Sequence, residues 1–124
     1  MTRKTILVVD DDAATRQAYV EFLTECGYDV QEAAHGGEAI MHVYRRRPDL
    51  VLLDITMPVL DGVETAQSLR ERSSTANLRI LGVTGSESAL KRERMLELCD
   101  DVLMKPCAPE VVASHIRSLV QKAA

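Results

Sequence analysis

Tryptophan is absent from the 124 residues, phenylalanine occurs once and tyrosine three times. A core must therefore be built almost wholly from Leu, Val, Ile and Ala, with side-chain shape rather than ring stacking filling it. Cysteine is scarce and odd in number: Cys26, Cys99 and Cys107 show neither C-x-x-C spacing nor a paired framework, which argues against a zinc site or a disulfide scaffold and for reduced, partly buried thiols. No segment approaches the roughly 18 apolar residues of a membrane span. The apolar run in "MTRKTILVVDDD" is too short for a signal peptide, so a soluble, cytoplasmic protein with no membrane role is expected. Excess positive charge is also missing. A net charge of -4 disfavours direct nucleic-acid binding, which relies on basic surfaces. Repeats, linkers and low-complexity tracts are lacking too, and residues 1–124 read as a single domain of ordinary size.

Present instead are five short apolar runs: "TILVV" (5–9), "YDVQEA" (28–33), "LVLL" (50–53), "RILGV" (79–83) and "DVLM" (101–104). Stretches of helical periodicity separate them, an alternating βα pattern. The first, third and fourth runs are almost continuously aliphatic, as parallel strands covered on both faces must be, whereas "YDVQEA" is broken by charge and belongs at an edge. Boundary signals in the intervening segments agree. Thr15, Tyr19, Phe22, Leu23 and Cys26 share a face of a first helix that Gly27 can end in a left-handed conformation. Asp61 and Glu64 form a capping box for a third helix, and Gly85-Ser86 offers a cap to a fourth. Pro109 suits the first turn of a fifth helix, on which Val112, Ile116, Leu119 and Ala123 share a face. The fold class is α/β, a (βα)5 unit.

In an open α/β sheet, ligands bind beyond the carboxyl ends of the strands. Asp10, Asp11 and Asp12 follow the first strand, Asp54 the third, Thr84 the fourth and Lys105 the fifth. Three adjacent carboxylates repel one another, increasingly so where water is excluded. A cation resolves the conflict. Carboxylates with a backbone carbonyl and waters form the hard oxygen environment of Mg²⁺, and no His or Cys stands nearby to favour zinc. A helix N-cap with acidic neighbours is the plainer account of "DDD", and Asp12 is the residue placed to be that cap. Asp54 and Lys105 on the same rim are what that account leaves unexplained.

These residues fall in "VVDD" (8–11), "LLDITMPVLDG" (52–62), "VTG" (83–85) and "DDVLMKP" (100–106). In order and separation the four resemble the receiver domain of two-component response regulators, over essentially the whole chain. The resemblance implies a doubly wound, flavodoxin-like five-stranded parallel sheet of order 2-1-3-4-5, a phosphoryl-accepting aspartate and Mg²⁺. It implies a histidine kinase or histidine phosphotransfer protein as donor and a downstream protein as target. Carried over by residue, Asp54 resembles the phosphoryl acceptor, Asp11 the direct Mg²⁺ ligand and Asp10 a ligand acting mainly through a metal-bound water. By the same resemblance the backbone carbonyl of Thr56 would complete the protein's share of the metal shell; Thr84 and Lys105 resemble the hydroxyl and the ammonium that contact the phosphoryl group. A cis Lys105-Pro106 bond is implied as well. The role is that of a phosphoacceptor signalling domain that assists its own chemistry, not an enzyme acting on a separate substrate.

Other readings fit less well. A haloacid-dehalogenase-like phosphatase would use Asp10 and Asp12, but that motif continues with Thr or Val where Ala14 stands, and there is no room for a cap domain. Flavodoxin cradles a phosphate in its first loop, which three aspartates would repel. The stronger rival is a receiver-like interaction module without a phosphorylation switch. Three departures keep it in play: Val102 where an aromatic is usual, Cys107 after Pro106 where another is usual, and Leu98-Cys99 in place of a common Gly-Ala. "YRRRP" (44–48) reads as cations complementing the end of the second helix, and "LKRERM" (90–95) as a solvated helix face that could also serve as a partner surface. His35, His42 and His115 read as ordinary loop or helix residues.

Overall fold

The computed structural model describes residues 3–55, 62–85 and 89–121, with residues 89–92 by backbone alone. Strands and helices alternate along the chain: β1 (Thr5–Val9), α1 (Ala13–Glu25), β2 (Asp29–Ala33), α2 (Gly36–Arg45), β3 (Leu50–Asp54), α3 (Gly62–Glu71), β4 (Arg79–Thr84), α4 (Ala89–Leu98), β5 (Asp101–Met104) and α5 (Pro109–Gln121). All neighbouring strands pair in parallel, in the order β2-β1-β3-β4-β5. The sheet is the one expected, and the charged second strand lies at its edge.

Side-chain alternation divides the apolar residues of each central strand between two layers. Leu7, Val9, Val51, Leu53 and Ile80 meet Ala39, Val43, Ala66, Leu69 and Met95 from α2, α3 and α4. On the opposite face Ile6, Val8, Leu50, Leu52, Leu81 and Val83 meet Tyr19 and Leu23 of α1 and Val112, Ala113, Ile116 and Leu119 of α5. Every residue of β3 is buried. A strand covered on both faces cannot alternate polar and apolar residues, which is why "LVLL" carries no charge.

Helix boundaries follow local chemistry. The Asp12 carboxylate accepts from the Thr15 amide at 2.9 Å and caps α1 as expected. Past the helix end Gly27 adopts φ 100°, a left-handed conformation that suits glycine. Cys26 differs from expectation: it is exposed, because it is the C-cap residue at which the chain turns away from the core face, whereas Cys99 is buried and Cys107 half-buried. At the start of α2 the cap is His35, whose Nδ1 accepts from the Glu38 amide at 3.2 Å. Pro109 opens α5, and Val112, Ile116 and Leu119 are buried as read. Asp61, Ser86 and Ala123 lie outside the described residues.

The rim at the amino ends of the strands is tied by ions of opposite sign. Arg70, in the last turn of α3, donates to the carbonyls of Ala76, Leu78 and Leu98 and pairs with Asp100 at 3.0 Å. Asp100 also pairs with Arg79 at 3.3 Å and accepts from the Ile80 amide. Asp49 accepts from the Thr5 amide, and Asp101 pairs with His115. The basic run after α2 is used here as well: Arg46 pairs with Asp29 at 2.8 Å, Arg47 donates to the Ser74 carbonyl and Asn77, and Arg72 lies over the Tyr44 ring. In "LKRERM", Met95 is a core residue and Arg94 pairs with Glu97, so the stretch is not uniformly a solvated face.

Candidate functional site

The carboxyl ends of β1 and β3 are neighbours in the sheet, with Val9 opposite Leu53, so the residues that follow them converge. Asp10, Asp11 and Asp54 each present a carboxylate oxygen, and these three atoms lie within 4.8 Å of one another. Asp10 and Asp54 are buried, 3% and 4% exposed, while Asp11 is open to solvent. From the far end of the sheet, Lys105 brings its Nζ to 3.5 Å from Asp54 Oδ1. Its position is set by the backbone: the Lys105 amide donates to the Thr84 carbonyl at 2.6 Å, and the Lys105-Pro106 peptide is cis. Thr84 is buried at the end of β4, its hydroxyl directed to the Gly85 carbonyl at 3.5 Å. Five of the six residues assigned from sequence thus meet at one rim. The sixth, Thr56, lies outside the described residues.

The electrostatics of this rim are strained. Burial pushes the Asp10 carboxyl up from 3.8 to about 6, against a hydrogen bond that its Oδ1 accepts from the Asp12 amide at 2.9 Å. The Asp54 and Asp11 charges push the same way, and Lys105 pulls back. Asp12 is different in kind. Its fully exposed carboxylate is held below the usual range by hydrogen bonds from Thr15, so it serves the helix rather than the cluster. An all-oxygen donor set, half-closed to water and carrying more negative charge than Lys105 can offset, fits a small hard divalent cation.

Two further residues, neither of them assigned a role from sequence, shape the site. Gly62 opens α3 against the end of β3: a Cβ there would sit 2.5 Å from Ile55 Cα and 2.7 Å from the Asp54 carbonyl oxygen. Only hydrogen fits, and the signal was its place closing "LLDITMPVLDG". Arg16, one turn into α1, donates to the Asp10 carbonyl at 2.8 Å and to Glu32 at 2.8 Å. Nothing in the local pattern distinguishes it from a solvated arginine. The Tyr19 hydroxyl approaches Cys107 Sγ at 3.9 Å behind the acidic cluster, and burial raises its ionisation well above the ordinary value.

Comparison with known proteins decides the family. The response regulator receiver domain matches residues 6–117. The chain belongs to the response regulator receiver family. Among relatives, this receiver is 42% identical over 118 residues to response regulator MprA of Mycobacterium leprae, covering 94% of the chain and 51% of that protein. It is 38% identical over 123 residues to the probable transcriptional regulator ycf27 of Porphyridium aerugineum, covering 98% and 50%. The receiver thus spans about half the length of the curated relatives it matches. The chemotaxis protein CheY4 of Vibrio cholerae superposes with a TM-score of 0.88 at 29% identity, over 95% of this chain and 99% of that one. The receiver is a component of two-component signalling. Among the described residues no helix is long and apolar enough to cross a membrane.

Proposed function

We propose that Asp54 of this receiver accepts a phosphoryl group in the cytoplasm from a phosphohistidine on a histidine kinase or histidine phosphotransfer protein. One observation carries the reading: a buried carboxylate with an ammonium at 3.5 Å and two more carboxylates beside it, on the rim where four strand ends meet. An Asp54 carboxylate oxygen forms a bond to phosphorus as the donor's P–N bond breaks. Asp10, Asp11, Asp54 and the Thr56 backbone carbonyl would hold Mg²⁺, which supplies the charge neutralisation that lets an anionic nucleophile approach an anionic phosphoryl group. Lys105, already at Asp54, balances the negative charge that arrives with the phosphoryl oxygens. Thr84, tied to Lys105 through the backbone, brings a hydroxyl to the same oxygens. The changed rim is then read by a downstream protein or by a further part of the regulator. Intact-mass measurement after acetyl phosphate and Mg²⁺ should show one phosphoryl adduct, absent in Asp54→Asn. An adduct that persists in that variant overturns the assignment.

A second reading, a constitutive interaction module, is favoured by one observation. Val102 packs against the core layer of α2, α3 and α4, and the space above its sheet neighbour Gly82 is closed by Cys99 Sγ, Ile55 Cδ1 and Met95 Cε at 3.2 to 3.3 Å from a built Cβ. A stiff β-branched residue beside a filled space has little room to act as a rotating switch element. Hydrogen exchange with and without beryllofluoride separates the readings. Protection changes that reach Gly85 and α4 mark a switch; changes confined to the Asp54 and Lys105 loops mark a module.

A further inference from the structure

We propose that Arg16 is a positioning residue for the cation site, acting through the backbone of Asp10; the inference rests on the metal-binding reading above. Asp10 is held at every polar group. Its amide donates to the Ala33 carbonyl at 3.2 Å, its Oδ1 accepts from the Asp12 amide at 2.9 Å, and its carbonyl accepts from Arg16 Nη1 at 2.8 Å. The first of these bonds reaches the edge strand β2, the second closes the loop on itself, and the third comes from α1.

Arg16 is fixed in turn. Its Nε donates to Glu32 at 2.8 Å, and its side chain is only 18% exposed. Glu32 sits in β2, one residue before Ala33 and opposite Val8 of β1. The guanidinium therefore bridges edge strand, acidic loop and first helix, and its planar fork serves both acceptors from one fixed orientation. Without it the Asp10 carbonyl, in the turn between a buried strand and a capped helix, loses its side-chain partner. The peptide that carries the Asp11 amide then keeps only the restraints at the Asp10 amide and carboxylate, so its orientation loosens, and that of Asp11 with it.

Two roles for a cation at this place predict opposite signs. If Arg16 contributes only charge, removing it lowers the positive potential at a cation site and divalent binding tightens. If it positions, removing it weakens binding even though a repelling charge has gone. Loss of an outer partner of a metal ligand costs about 10–100-fold in affinity; because Arg16 acts through a backbone carbonyl, the low end is expected. Lysine keeps the charge but has no fork with which to hold two acceptors at once.

The experiment is calorimetric titration of Mg²⁺ into wild type, Arg16→Met and Arg16→Lys, each first shown to be folded by urea titration in chelator. ¹H–¹⁵N spectra report the Asp10, Asp11 and Asp12 amides. Expected is binding about tenfold weaker in Arg16→Met and intermediate in Arg16→Lys, with the Asp11 and Asp12 amides shifted before any metal is added. Unchanged or tighter binding in Arg16→Met overturns the proposal, and so does wild-type affinity in Arg16→Lys, which decides the matter alone should the Met variant not fold. A wild type that takes up no Mg²⁺ sinks the metal reading itself, and this inference with it.

Discussion

Replacing Asp10 with asparagine should make the metal-free receiver more stable. The substitution keeps the shape and the oxygen that accepts from the Asp12 amide, and removes a charge that is 3% exposed and faces Asp11 and Asp54. A carboxyl moved from 3.8 to about 6 on folding corresponds to about 3 kcal/mol of unfavourable free energy once it is ionised. The sign follows from proton binding. Between those two values the folded state holds the proton more tightly than the unfolded state, so wild-type stability falls as pH rises from about 4 to about 6 and is level above. Below pH 4 the group is protonated in both states and the penalty is absent. Asparagine has no such window. Urea titrations of both proteins in chelator should therefore coincide near pH 4 and separate by about 1–3 kcal/mol by pH 7, the upper figure applying if nothing relaxes. Excess Mg²⁺ should narrow the gap at pH 7 by stabilising the wild type selectively, since a ligand bound only by the folded state stabilises it. A variant less stable than wild type at pH 7, or a gain that does not change between pH 4 and 7, would refute the reasoning.

Other substitutions probe the frame around that site. Gly62→Ala forces a Cβ onto the β3 backbone and should cost about 1–3 kcal/mol by overpacking, read by urea titration, with reduced phosphoryl uptake because Asp54 shares the displaced peptide. Asp11→Ala should weaken Mg²⁺ binding far more than Asp12→Ala, whereas Asp12→Ala should lower the melting temperature through loss of the α1 cap; equal losses in titration calorimetry would mean the carboxylates were misassigned. Ellman's reagent at pH 8 should modify Cys26 first and Cys99 last, because Cys26 is exposed while burial pushes the Cys99 thiol up to about 12.

Much of this was legible because it is written in single residue types at strand ends. "LVLL" admits only a strand buried on both sides, and charged "YDVQEA" only an edge; both lie where that logic places them. Asp54 and Lys105 could be paired from sequence because parallel topology sends every strand's carboxyl end to one rim. What stayed hidden depends on reach across elements. Arg16 to Glu32, and Arg70 to Asp100, join residues 16 and 30 apart, and no periodicity distinguishes an arginine that spans such a gap from one that points to water. Cys26 was misread for a related reason. It continues the apolar spacing of α1 by one step, yet the helix ends there and the next residue redirects the chain. His35 as the α2 cap escaped because imidazole is outside the usual set of capping side chains.

The two rims of the sheet respond to salt in opposite directions. At the carboxyl ends like charges are held together, and mobile ions screen a repulsion. At the amino ends Arg70, Arg79 and Arg46 are paired with Asp100 and Asp29, and the same ions screen an attraction. With a Debye length of about 8 Å at 0.15 M, both effects act over the distances concerned, although the buried members are screened less. Added monovalent salt therefore shifts the origin of the stability more than its amount: a molecule at low ionic strength is strained at one end and clamped at the other, and at high ionic strength it is relaxed at both. A single substitution tilts this balance without abolishing either side: Asp10→Asn lessens the repulsion that salt relieves, so its stability should respond less favourably to salt than the wild type's, and loss of Arg70 lessens the attraction that salt weakens, so the response shifts the other way.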